Sequence, residues 1–199
     1  MDAVRVPPLP MDLRWLSEPQ DFEHSEGAVR IVAGAGTDWF TDPGGRPPSL
    51  NAPALAGPWE GSFFLCARVT VDFGATFDAG GLVVYGNERR WAKLCLERSP
   101  QGEATVVSVV TRGLSDDCTS ESIDGTSLWL RVARLGPDLA FHVSTDGERW
   151  RFVRHFDLEG GETPLIGFES QSPTGPGCAA TFDDLAFGTD PPADLRDGS

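Results

Sequence analysis

Three short segments between residues 91 and 144 alternate strictly between apolar and polar positions, the period of a half-buried β-strand. In the first, Ala92, Leu94 and Leu96 face one way, and Trp91, Lys93, Cys95 and Glu97 the other. In the second, Leu128, Leu130 and Val132 oppose Trp129 and Arg131. In the third, Leu139, Phe141 and Val143 oppose Ala140, His142 and Ser144. The longest alternation spans residues 63–73, and shorter runs predict strands at 29–33, 80–85, 105–112, 150–156, 164–169 and 178–187. Twenty-three glycines and sixteen prolines break the chain too often for long helices. Gly136-Pro137-Asp138 and Asp146-Gly147 read as hairpin turns. The pattern predicts an all-β sandwich or jelly roll.

The predicted outward face is not ordinary surface. Two tryptophans there cost solvation unless a ligand or a loop covers them. Residues 40–60 hold five prolines and a glycine pair, in the stretch Asp42-Pro43-Gly44-Gly45-Arg46-Pro47-Pro48 and then at Pro53 and Pro58, and read as one long loop. Residues 1–12 and 189–199 read as flexible tails around a single domain at 13–188.

The net charge of −14 argues against nucleic acid and anionic membrane as partners. Cys66, Cys95, Cys118 and Cys178 have no zinc-ribbon or Cys-x-x-Cys spacing, and His24, His142 and His155 have no metal-ligand spacing, so no cofactor or metal is expected. The first residues lack an apolar signal region, and no stretch approaches a membrane span, so a cytoplasmic protein with reduced thiols is the expectation.

Several ordered blocks then become informative together: Thr37-Asp38-Trp39-Phe40, Ala79-Gly80-Gly81-Leu82, Arg90-Trp91-Ala92-Lys93-Leu94-Cys95-Leu96-Glu97, Val109-Val110-Thr111-Arg112-Gly113-Leu114-Ser115-Asp116-Asp117, Trp129-Leu130-Arg131-Val132-Ala133-Arg134 and Ser144-Thr145-Asp146-Gly147-Glu148-Arg149-Trp150. From about Leu13 to Phe187 the chain resembles a concanavalin A-like domain family of unknown function that includes the fungal "regulation of enolase" proteins. The resemblance implies a concanavalin A-like jelly-roll sandwich of two antiparallel sheets, one concave. It implies a fold shared with legume lectins, laminin-G modules, glucanases and the accessory domain of some β-xylosidases, and it implies no reaction. One departure is Asp117, where related sequences commonly carry Trp.

If the alternating segments lie side by side in the concave sheet, Trp91 and Trp129 can stack on a sugar's C–H face. Arg131 and Lys93 can donate, Glu97 and Asp116 can accept, and His142 can tune the site with pH. Arg112 ends a strand at the rim, where it can pair with Asp116. Trp39 enters the proline-rich loop, either as a lid over the face or as the loop's apolar anchor. The expected function is non-catalytic binding of a small carbohydrate or polyol. The same face can instead be a loop-covered structural network; the alternative functions are a protein-interaction or regulatory module of carbohydrate metabolism, docking its partner on the concave face or on the loop at 40–60, and a glycoside hydrolase. The last is disfavoured because glucanases of this architecture place paired carboxylates on one strand, whereas Glu97 stands alone on its own. Arg154 shares a phase with Trp150, Phe152 and Phe156, so it points to the groove or marks a bulge. Asp183 and Asp184 resemble calcium-holding carboxylates, but adjacent strand residues point to opposite faces.

Overall fold

A computed structural model describes residues 3–25, 27–160 and 163–198. The strands in the first half are β1 (Arg14–Ser17), β2 (Asp21–Ser25), β3 (Ala28–Gly34), β4 (Trp39–Phe40), β5 (Ser49–Leu50), β6 (Ala54–Pro58), β7 (Phe63–Val71) and β8 (Ala79–Asn87). Those that follow are β9 (Arg90–Arg98), β10 (Ala104–Arg112), β11 (Leu114–Ile123), β12 (Ser127–Leu135), β13 (Asp138–Ser144), β14 (Arg151–Phe156), β15 (Leu165–Gln171) and β16 (Gly177–Gly188). Two seven-stranded antiparallel sheets pack face to face. Sheet I runs β1-β6-β15-β8-β9-β10-β11, and sheet II runs β14-β13-β12-β7-β16-β3-β2. β4 and β5 form a separate hairpin. Among the described residues no helix is long and apolar enough to cross a membrane.

The alternation explains the layering. Inward residues of sheet I, such as Leu82, Ala92, Leu94, Leu96 and Val106, meet Leu65, Val69, Leu130, Val132, Phe141 and Phe182 of sheet II in one buried core. Gly136 adopts φ 61° and joins β12 to β13 through a two-residue turn, with Leu135 opposite Asp138.

Three expectations change. First, the alternating segments do not lie side by side: β9 belongs to sheet I, while β12 and β13 are neighbours in sheet II. Their polar faces therefore look out from opposite sides of the sandwich. Second, residues 40–60 are not a plain loop, because they contain β5 and β6 as well as the end of β4. β6 lies between β1 and β15, and its small side chains at Ala54 and Ala56 leave room for what covers sheet I. Third, the chain ends expected to be flexible tails carry anchors. Val6 and Leu9 join the main core, and Leu195 is buried on Ala133 and Ala140 of sheet II.

Candidate functional site

The outer face of sheet I carries an open cleft and buried ionisable groups side by side. The register places Glu169 of β15 opposite Gly81 of β8, and Gly81 opposite Cys95 of β9. Gln171 stands opposite Ala79, and Ala79 opposite Glu97; Lys93 stands between Val83 and Val109, which in turn faces Asp117. Glycine is required at position 81. A Cβ there would lie 2.4 Å from the Leu94 carbonyl oxygen and 2.8 Å from Cys95 Cβ. The small residues between β15 and β9 leave room for the long side chains of Lys93 and Glu169 on one outer face, where each charge acts on the other.

Lys93 is 2% exposed and its ammonium is enclosed by acceptors. It donates to Gln171 Oε1, and Asp38 Oδ1 lies 3.8 Å from its Nζ. Burial alone would lower its pKa, but Glu169, Cys95, Asp38 and Glu97 together hold it above the usual lysine range. Glu169 is fully buried, and neither carboxylate oxygen has a hydrogen-bond partner. Burial pushes its pKa up to about 7 against the pull of Lys93. Burial likewise raises Glu97 to about 7, with Lys93 opposing and Asp38, Glu169 and Asp117 reinforcing the rise. Glu97 accepts one long bond, 3.5 Å, from Gln171 Nε2, which also donates to the Phe77 carbonyl at 3.0 Å.

The β4–β5 hairpin roofs part of this face. Trp39 is buried, its ring 5.5 Å from Trp91 in an edge contact and 5.6 Å from Tyr85, and its Nε1 donates to the Ala52 carbonyl. Trp39 is thus the apolar anchor of the hairpin rather than a free lid. Trp91 is fully buried beneath it in a second apolar cluster with Ala54, Ala79, Val83 and Val107. It cannot stack on a ligand, which corrects the expectation for that residue. The hairpin is tied to β11, where Thr41 N–H donates to Ser115 Oγ and Ser115 N–H to the Thr41 carbonyl, both at 2.9 Å.

Beside the hairpin remains a cleft of about 470 Å³, within the range of small-molecule sites. Lys93, Glu97, Gln171 and Asp117 line it together with Asp38, Phe40 and Phe77. Phe77 is an exposed aromatic in the left-handed backbone region, φ 68°, a costly conformation for a bulky side chain and one that clusters at binding sites. Asp42 and Arg46 form an ion pair at the hairpin tip.

The remaining expected site residues lie elsewhere. Asp116 points away from the cleft and is clamped by Arg154, whose Nη2 is 2.8 Å from Asp116 Oδ2. A register shift between β13 and β14 marks the bulge expected at Arg154, and the clamp joins the edge strands of the two sheets. Arg112 reaches Glu159 at 3.4 Å rather than Asp116. Trp129, Arg131 and His142 are on the outer face of sheet II, separated from Lys93 by the whole core. There Trp129 Nε1 donates to Asp184 Oδ2 at 2.7 Å, under the guanidinium of Arg68, which holds Asp183 in a two-point bond. Asp183 and Asp184 are thereby spent on protein partners. Among the described residues no His, Cys, Asp and Glu cluster suits a metal.

Arg131 stacks over Trp150 at 4.4 Å, donates to His142 Nδ1 and caps the Gly198 carbonyl. With Nδ1 accepting, His142 Nε2 carries the proton and donates to the Leu195 carbonyl at 2.7 Å. Burial, then the charge of Arg131, lowers His142 to about 4. Deleting residues 190–199 removes that cover, so the His142 pKa is expected to rise toward 6.5 in an NMR titration. An unchanged value would show that the C-terminal segment does not bury the ring.

Sequence reasoning did not single out Glu169, Gln171, Phe40 or Phe77 as site residues. Extending the alternation at 164–169 by two positions would have put Gly167, Glu169 and Gln171 on one outward row. Nothing local marks Phe77, whose backbone conformation is set by the loop around Asp78. There the Asp78 carboxylate accepts from Gly74 and Ala75 N–H and from Ser172 Oγ.

The sandwich is similar to that of a functionally unknown protein from Saccharomyces cerevisiae, at 24% identity and TM-score 0.83, over 89% of this chain and 96% of that one. It is also similar to part of the GH43 BlXynB protein from Bacillus licheniformis, at 15% identity and TM-score 0.72, over 89% of this chain but 37% of that one. An alginate lyase from Klebsiella pneumoniae shares the fold more distantly, at 14% identity and TM-score 0.53, over 85% and 84% of the two chains. At these identities the likeness shows the fold alone. No curated protein matches the chain significantly. A profile of the family described as proteins of unknown function, DUF1349, matches residues 15–189, nearly the whole length, and the chain belongs to that family.

Proposed function

We propose that the cleft on sheet I binds a small carbohydrate or polyol without transforming it. The observation that carries this reading is the pairing of an exposed, strained aromatic plate, Phe77, with a floor of Gln171, Glu97 and Lys93 in one cleft of about 470 Å³. An aromatic face and a ring of carboxylate and amide groups are what a sugar's apolar C–H face and hydroxyls require. The size suits one or two sugar rings rather than a polymer. Sandwiches of similar fold occur in proteins named for carbohydrate-active chemistry, which agrees with the reading but does not carry it.

Hydrolysis is the weaker reading. A second carboxylate, Glu169, accompanies Glu97, but it is buried below the cleft instead of flanking a space for a glycosidic bond. The alternative of a docking module for a protein partner draws on the same exposed Phe77.

Isothermal titration with a panel of mono- and disaccharides and polyols tests the binding reading. Saturable, stoichiometric binding is expected, weakened roughly three- to tenfold in Phe77→Ala, the loss of one aromatic contact. If no saccharide or polyol binds while a protein is captured stoichiometrically and lost in the same variant, the docking reading replaces it.

A further inference from the structure

We infer that the ligand carries a positively charged amino group, so that within the proposed carbohydrate reading the site selects an amino sugar over neutral and acidic ones. The inference rests on which charges remain available to a ligand. Lys93 is not among them: its ammonium is 2% exposed, donates to Gln171 and lies 3.8 Å from Asp38. Arg46 is engaged by Asp42. What faces the opening is the carboxylate side of the balance: Asp38 from the hairpin, Glu97 from β9 and Asp117 from β11, brought to one cleft by three separate elements.

Two further features point the same way. Glu169 lies beneath the cleft on the same face as Gln171, fully buried with both oxygens unpartnered, so its negative charge adds to that of the lining acids without a donor to satisfy it. The walls beside these acids are the rings of Phe40 and Phe77. Carboxylates flanked by aromatic faces attract an ammonium twice, by charge and by the ring quadrupole. A uronate or a phosphate would meet repulsion from the same groups, and the chain's net charge of −14 adds to it.

Titration of the full chain at low salt and neutral pH with a glucosamine disaccharide, its N-acetylated counterpart, cellobiose and spermidine tests this. The free amino disaccharide is expected to bind about tenfold or more tightly than either neutral disaccharide. The advantage should shrink with added salt and fall to near parity in Asp117→Asn, an exposed position whose replacement leaves the core intact. Glu97→Gln should do the same. Equal binding of amino and neutral disaccharides overturns the charge inference and leaves the carbohydrate reading standing. Tight spermidine binding with no measurable disaccharide supports the cationic ligand and overturns the carbohydrate reading. Absence of binding by all four overturns both.

Discussion

Replacing Lys93 with Met is expected to cost about 3–5 kcal/mol of stability in mildly alkaline solution, the scale of breaking a buried ion pair by removing one partner. The reason is the company Lys93 keeps. Glu169 is fully buried with no hydrogen bond, and Glu97 stands beside it, so the lysine is the charge that makes their ionised forms tolerable. The loss should shrink in mildly acidic solution, where both carboxyls take up protons. It should also shrink in the Lys93→Met/Glu169→Gln double variant, where the fully buried carboxylate is gone and only Glu97 is left to compensate.

The pH dependence of the wild-type chain follows from the same groups. Glu97 and Glu169 have folded-state pKa values raised to about 7 from 4.5. The folded chain therefore binds more protons than the unfolded one between those values. Their contribution is complete below pH 4.5 and is lost as pH rises through about 7. His142 acts oppositely: lowered from 6.5 to about 4, it contributes stability above pH 6.5 that is lost as pH falls through about 4. Lys93, held above its ordinary value, does not titrate in this window. Denaturant melts across the range should show the Lys93→Met deficit growing with pH. A deficit of the same size at acid and alkaline pH would show that packing, not charge compensation, is what Lys93 supplies.

Trp39→Ala should be the most damaging change outside the main core, at about 3–5 kcal/mol, the cost of truncating a buried tryptophan. Trp39 is 2% exposed, packs on Trp91 and Tyr85, and holds the hairpin down through Ala52. Its removal uncovers Trp91 and loosens the strand pair that carries Asp38 and Phe40 into the cleft. For a domain of this size the melting temperature should drop by roughly 6–20 °C. Trp39→Phe, which keeps a ring but not the N–H, should retain much of the stability. If Trp39→Ala melts within a degree or two of wild type, the hairpin is not anchored by this residue. Ligand binding should weaken with it, since the roof and the cleft wall are one element.

The candidate site was legible in pieces. Trp91, Lys93 and Glu97 were readable as one outward row, and the structure keeps that row together on β9. Trp129, Arg131 and His142 formed an equally convincing row and belong to the other side of the molecule. Asp116 and Asp117 are adjacent in sequence, yet the first clamps Arg154 and the second lines the cleft. Glu169 and Gln171 come from a strand some seventy-five positions beyond Lys93, and Asp38 from more than fifty before it, so their meeting is a property of strand order.

The sequence by itself determined the class of fold, the limits of most long strands and, for each alternating residue, whether it faces the core. Period two encodes that choice locally, because successive side chains leave opposite sides of the strand. Only the tertiary structure decided which outer face each row occupies, since both sheets of a sandwich share one core and each has its own outside. Nothing in a single strand records its neighbours. Long-range pairing placed β9 beside β8 and β10, away from β12 and β13. The covering of those faces, by the β4–β5 hairpin on one side and by Leu195 on the other, then turned two similar rows into a cleft and a buried network.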